Sequence, residues 1–341
     1  MLSLSIALAI ALYIVGNTHW AKQLLNHFKN SKKQFPSIEP LSDFDWRAQK
    51  PRQLRPYRPI YNITMAIKPE PLSDLVTVDN QYLDRVTTRR NIIAEYKNTV
   101  HGCLPGGESA VHELYSYLLT HHLPIRFSDL FTCQGKLFHN RVTGKSFPTT
   151  PPQDPETCLR ILGETVEEDI FLLMETETTH KCLAFTCCFP TGFDPSSKLG
   201  LDLRGIHGPV PAYEKIGPSM ERFFRKLEVG KSWNIQTGDY LINVAGNHIK
   251  EGDEFVADED VDHSTANLRI ELQTLTRLPE TKFVLFCFKT YLYPLADIKA
   301  EGNGPELADA IEGLQKGNAP GMFKYKSAVR WGKSVAEYLR S

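Results

Sequence analysis

The chain has 341 residues, with 39 Lys and Arg against 40 Asp and Glu, a formal net charge of −1, 41% hydrophobic residues and 23% charged ones. These ordinary globular values exclude a disordered chain, a collagen-like chain and a many-pass membrane protein, and the balanced charge offers no basic face for nucleic acid. The length admits one large domain or two ordinary ones.

Residues 2–15 are an almost unbroken apolar run, and the polar flank to Trp20 brings it towards the roughly 20 residues of a membrane span. The run has signal-peptide length, yet a basic leader before it and an Ala-x-Ala-like site after it are both missing. Lys22, Lys29, Lys32 and Lys33 follow, so the positive-inside rule keeps the downstream chain cytosolic. The expectation is an anchor helix over residues 1–21, entering the membrane through residues 2–20, with a cytosolic body in an endoplasmic-reticulum-like arrangement. A cleaved signal peptide with a secreted body is the alternative, and a peripheral or buried helix is a third. The one N-x-S/T sequon, Asn62-Ile63-Thr64, would stay unmodified in the cytosol.

Pro36, Pro40, Pro51, Pro56 and Pro59 stand among many charges, and residues 22–56 read as a Pro-rich tether. A helical section is expected over residues 57–160. Asp79 suits the N-cap of a helix running to about Val100, with Tyr82, Val86, Ile93 and Val100 on its apolar stripe and Arg85, Arg89 and Glu95 among its polar positions. After Pro105-Gly106-Gly107, the spacing of Val111, Leu114, Tyr115, Leu118 and Leu119 predicts a second amphipathic helix, closed by Pro124. His112, His121 and His122 on or near it read as surface or capping histidines.

Residues 161–300 read as a sheet-rich core. Strands are expected over 169–175, 181–189, 240–244, 268–275 and 282–290, with a helix over 218–227. Leu278-Pro279-Glu280-Thr281 is a hairpin-length connection. Locally connected strands with a few helices predict an α+β fold with an antiparallel sheet. Residues 301–341 read as C-terminal helices split by Gly317 and Pro320.

The seven cysteines, Cys103, Cys133, Cys158, Cys182, Cys187, Cys188 and Cys287, are too few for a disulfide framework, and no C-x-x-C pair occurs. They read as reduced, mostly buried thiols in a reducing compartment. No G-x-G-x-x-G, HExxH or GxSxG motif is present.

Two features carry chemistry. In 268–273, Leu268, Ile270 and Leu272 alternate with Arg269, Glu271 and Gln273. On pattern alone the second set is a solvated face. The next strand, 283–288, is apolar on both faces, so its neighbour should be covered on the polar side as well. An arginine, a carboxylate and an amide under cover must be paired or serve a ligand. The other feature is Ile206-His207-Gly208-Pro209-Val210-Pro211. A rigid loop holding one imidazole suits a metal ligand or a general base. A hydrogen-bonded core histidine in a turn is the competing reading.

Several pieces recur in order in one known family. They are Tyr57-Arg58-Pro59-Ile60-Tyr61 with Met65, Val78-Asp79-x-x-Tyr82, Cys188-Phe189-Pro190, the 206–211 loop, Ser232-Trp233-Asn234, the stretch LRIELQTLTRLP at 268–279, and Tyr325-Lys326. Over about residues 55–340 the chain resembles the haem-dependent oxidative N-demethylase alpha-subunit family, also widespread in fungi. The Arg-x-Glu-x-Gln-Thr-Leu-x-Arg-Leu-Pro pattern is the most specific piece.

The resemblance implies a PAS-like antiparallel sheet with flanking helices that binds haem b. It implies electrons from NADPH through flavin and iron–sulfur partners, and oxidation of an N-methyl group by O₂ with release of formaldehyde. By the same resemblance His207 is the haem ligand, Arg269 a partner for a propionate, Glu271 or Gln273 the group holding an amine substrate or a distal water, and Trp233 a residue packing on the haem or closing the pocket. His180, His263 and a thiolate of Cys182, Cys187 or Cys188 are rival iron ligands. Leu272 stands where the bacterial pattern has an arginine. The chain has no flavin or iron–sulfur motif, so the electrons must come from a separate flavin or flavin/iron–sulfur reductase. The function expected is a membrane-anchored haem oxidoreductase acting on a small amine. A non-catalytic PAS-like protein that binds or senses haem or another small molecule is the alternative.

Overall fold

Strand-forming residues are scattered along the chain, and pairing gathers them into two antiparallel sheets. The computed structural model describes residues 35–235, 241–243 and 261–341. The strands are β1 (Ile67–Glu70), β2 (His101–Cys103), β3 (Phe131–Gln134), β4 (Leu137–Asn140), β5 (Lys145–Pro148), β6 (Asp169–Glu175), β7 (His180–Thr186), β8 (Ser232–Ile235), β9 (Leu241–Asn243), β10 (Asn267–Arg277) and β11 (Val284–Pro294). The main sheet has the order β1-β8-β10-β11-β6-β7-β2, with β9 also pairing with β10. β3, β4 and β5 form a separate meander. Helices join the sheets, so the expected α+β class with an antiparallel sheet is the one observed.

β10 and β11 form the centre because their residues alternate in the way a buried sheet demands. Leu268 and Leu272 are buried on one face of β10, while Arg269, Glu271, Gln273 and Leu275 share the other. The hairpin between these strands closes with the Leu278 amide donating to the Phe283 carbonyl at 2.9 Å. Buried Glu113 grips its tip, accepting from the Glu280 and Thr281 amides at 2.6 and 2.8 Å.

The helix Tyr82–Tyr96 stops short of the expected Val100, and two further residues depart from their expected reading. Arg89 is fully buried on the stripe with Tyr82, Val86 and Ile93, not on the polar face. Its guanidinium pairs with the Asp169 carboxylate at 2.5 Å and also donates to the Gly163, Glu167 and Glu168 carbonyls. Asp79 is not the N-cap. That position is Gln81, and Asp79 lies buried against Lys289 at 2.8 Å. The next helix, Glu108–Tyr117, does not end at Pro124: it passes through a π turn at Leu118–His122 into Leu123–Arg126. A widened turn accommodates a proline ring that a regular α turn would clash with.

The C-terminal helices Gly304–Gly313, Met322–Tyr325 and Ala328–Arg340 pack with Leu268 and with Tyr57 and Tyr61. Gly313 is needed there. A β-carbon on it would sit 2.0 Å from the Pro59 carbonyl oxygen, and its own carbonyl accepts from the Tyr61 amide. Ser37–Ser341 is one compact unit. Residues 37–56, expected to be tether, lie along that unit. Trp46 packs edge-on against Tyr82, Phe44 packs on Phe127, and the Asn80 amide donates to the Gln49 carbonyl. The expected anchor over residues 1–21 lies outside the described residues. Among the described residues no helix is long and apolar enough to cross a membrane.

Removing the Asp169 carboxylate strands a buried guanidinium and frees two backbone amides. Asp169→Ala is expected to cost roughly 3–5 kcal/mol, measured as a lowered midpoint of urea unfolding followed by circular dichroism. A change below about 1 kcal/mol would mean that Arg89 finds another partner or reaches water.

Candidate functional site

The face of β10 that carries Arg269, Glu271 and Gln273 is a polar row on an apolar wall. Across the strands Glu271 pairs with Thr290, Gln273 with Phe288 and Ile235, and Leu275 with Phe286 and Trp233. Phe171 on β6 stacks on Phe288 at 6.2 Å. Half-buried Met65, Phe193, Ile206, Tyr213, Ile216 and Phe223 extend the wall. The row is half-covered: Arg269, Glu271 and Gln273 are neither fully buried nor fully exposed.

The cover is the segment that follows β7. Asp169 accepts from the Cys188 amide at 2.7 Å and the Phe189 amide at 2.9 Å, fixing the chain there. The Phe189 carbonyl then accepts from Arg269 Nη2 at 2.5 Å. Arg269 Nη2 also reaches Glu271 Oε1 and Thr290 Oγ1, both at 3.1 Å, and Arg269 Nε donates to Thr191 Oγ1 at 2.9 Å. Thr191 in turn donates to Glu271 Oε1 at 2.6 Å. Among the described residues the other carboxylate oxygen, Oε2, accepts only a long 3.3 Å bond from Gln273. Burial opposes ionisation of Glu271, but Arg269, the Thr191 hydroxyl and the charge of Lys326 outweigh it and hold the carboxyl below its ordinary value. Glu271 is therefore an anion at neutral pH.

His207 is the last residue of the short helix Leu203–His207. Its Nδ1 is 2.8 Å from the Leu203 carbonyl, and its ring lies flat on Tyr213 with centroids 5.0 Å apart. A carbonyl only accepts, so Nδ1 carries the proton and Nε2 keeps its lone pair. Burial lowers the pKa of the ring, and the bond to Leu203 only partly opposes this, which favours the neutral, ligating form. Ile206 and Tyr213 join the same apolar wall, but no hydrogen bond or ring contact links His207 to the Arg269 cluster among the described residues. Trp233 lies on the Arg269 face one strand over, edge-on to Phe223 at 5.6 Å.

The rival ligands differ in what holds them, and His180 Nε2, like His207 Nε2, makes no hydrogen bond among the described residues. His180 is fully buried and 2.8 Å from Glu221, and His263 stacks on Tyr338 while contacting Ser334. Burial pushes the Cys182 thiol up to about 12 and Cys188 up to about 11. It pushes Cys187 well above its ordinary value, and the Cys187 thiol donates to Asp169. Protonated thiols are poor iron ligands.

A haem needs a free donor atom, an apolar wall and cations for its propionates. His207 Nε2, the wall and Arg269 Nη1, which makes no hydrogen bond among the described residues, meet those needs in kind. A groove of about 450 Å³ elsewhere, lined by Phe44, Trp46, Arg47, Asp129 and Arg141 among others, shares no residue with this face. Its mouth bears charges of both signs and no histidine. Sequence reasoning missed Thr191, Thr290 and Asp169. Asp169 and Thr290 stood only as the end residues of expected strands, and the one signal near Thr191 was the Cys188-Phe189-Pro190 piece.

A comparison with curated proteins finds no match. The family model described as haem-dependent oxidative N-demethylase, alpha subunit-like, matches residues 66–336. That stretch holds every strand of both sheets, His207, Trp233 and the whole Arg269 cluster. The chain belongs to the haem-dependent oxidative N-demethylase alpha-subunit-like family.

Proposed function

We propose that the chain is a haem-dependent oxidoreductase that oxidatively demethylates a small N-methyl amine. The observation that carries this reading is Glu271, an ionised carboxylate with one oxygen held only by a long bond from Gln273, set in a wall of aromatic and aliphatic side chains. A carboxylate at low local dielectric attracts an alkylammonium strongly, and the apolar wall suits its methyl groups.

Haem b, when bound, supplies redox chemistry at iron. His207 Nε2 is the atom offered to it, and the bond from Nδ1 to the Leu203 carbonyl fixes the tautomer and the ring plane. Arg269 Nη1 would be the group to meet a propionate, since a guanidinium matches a carboxylate. Gln273 keeps Glu271 Oε2 from swinging freely, and Trp233 with Phe223 excludes water from the far side of the row. A PAS-like use of the fold, with the ligand on one face of an antiparallel sheet, fits this placement.

Electrons come from a separate protein, a flavin or flavin/iron–sulfur reductase drawing on NADPH, because this chain carries neither cofactor motif. Residues 2–20 hold the body at a membrane, the apolar run and the lysines after it being the support. The full chain should then stay in the membrane pellet after alkaline carbonate extraction, and release to the supernatant would refute the anchor.

Turnover tests the catalytic reading against a haem-sensing one. The haem-loaded chain, given an electron donor and O₂, should release formaldehyde from one of a panel of N-methyl amines. Glu271→Gln should lower kcat/KM by about tenfold or more, because a charge-assisted contact is lost, with haem content unchanged. Bound haem with no formaldehyde from any amine would favour the sensor.

A further inference from the structure

Arginine usually grips a carboxylate with two parallel bonds, one from each of two nitrogens. Arg269 does not do this with Glu271. Its Nε and Nη2 edge faces two different acceptors: Thr191 Oγ1 on Nε at 2.9 Å and Glu271 Oε1 on Nη2 at 3.1 Å. The Thr191 hydroxyl occupies the place the second carboxylate oxygen would take. Its proton has one destination. Arg269 has no acceptor, so the hydroxyl receives from Nε and donates to Glu271 Oε1, at the short 2.6 Å of a charge-assisted bond. Glu271 Oε2 is thereby left off the guanidinium, and its one hydrogen bond among the described residues is the long one from Gln273.

Thr191 can do this because its segment is tied down from behind. Asp169, itself locked by Arg89, holds the Cys188 and Phe189 amides, and the Phe189 carbonyl is fastened to Arg269 Nη2. We propose that Thr191 is a positioning residue: its hydroxyl splits the Arg269–Glu271 pair so that one carboxylate oxygen stays available to an amine on the apolar wall and does not close onto the arginine. The proposal rests on Glu271 being the group that holds the amine. Without the hydroxyl, the carboxylate swings into a two-pronged bond with Nε and Nη2 and withdraws Oε2.

The test is a double-mutant cycle on the full haem-loaded chain, with trimethylammonium chloride as probe and its Kd measured by calorimetry. Thr191→Val should weaken binding about tenfold and Thr191→Ser should restore it, since serine keeps the hydroxyl. In a Glu271→Gln background Thr191→Val should have no further effect. Should Thr191→Val prove unstable by thermal melting, Thr191→Ala carries the same expectation. If Glu271→Gln weakens binding but the Thr191 variants do not, or if the two effects simply add, the positioning role is wrong. If Glu271→Gln itself leaves binding unchanged, the amine-holding reading falls and the proposal falls with it.

Discussion

A buried carboxylate is tolerated only when it is paired and hydrogen-bonded. Asp169 meets that demand in a way that shapes the site. It is nearly inaccessible, and it serves Arg89, the Cys187 thiol and the amides of Cys188 and Phe189 at once. Each of those contacts also has a structural consequence. Arg89 draws its helix onto three carbonyls before β6. The amides set the course of the chain after β7, which brings the Phe189 carbonyl and the Thr191 hydroxyl onto Arg269. The geometry of the Arg269–Glu271 pair thus depends on Arg89 and Asp169, which make no hydrogen bond to Glu271 among the described residues, acting through Phe189 and Thr191.

The central sheet keeps two polar systems apart. On the face opposite Arg269, Lys289 is buried between Asp79 and Glu167, at 2.8 Å from each. Burial pushes Glu167 up, with Lys289 opposing, and the cluster is closed by the Thr77 carbonyl. That system joins β11 to the start of the Tyr82–Tyr96 helix and is fully enclosed. The Arg269 row is only half-covered: among the described residues Arg269 Nη1 makes no hydrogen bond and Glu271 Oε2 only a long one. A closed network rigidifies the fold, whereas an open one on an apolar wall is where a ligand finds partners.

The sequence carried the sheet core clearly because strand periodicity is local. The expected strand at 169–175 is β6, the expected strand at 268–275 is β10 with residues added at both ends, and the expected strand at 282–290 is β11, which starts two residues later and runs four further. The alternation that puts Arg269, Glu271 and Gln273 on one face also held. Short polar strands such as β3, β4 and β5, four residues each, have too little pattern to stand out. Arg89 was assigned to a polar face because an arginine on a helix reads as solvated unless its partner is known, and that partner lies 80 residues away. Thr191 left no trace for the same reason: it acts on Arg269 and Glu271, which are 78 and 80 residues distant. The aromatic residues Phe44 and Trp46 outweigh the prolines around them and lay 37–56 onto the body.

The proposed reading turns on one atom, the Nε2 of His207, which makes no hydrogen bond among the described residues. The most direct measurement is the absorption spectrum of the chain purified with haem supplied, as wild type and as His207→Ala. The expected result is a Soret band that shifts with CO in the wild type and is lost or moved in the variant. A band indifferent to the substitution, or a wild-type protein that takes up no haem, would contradict it.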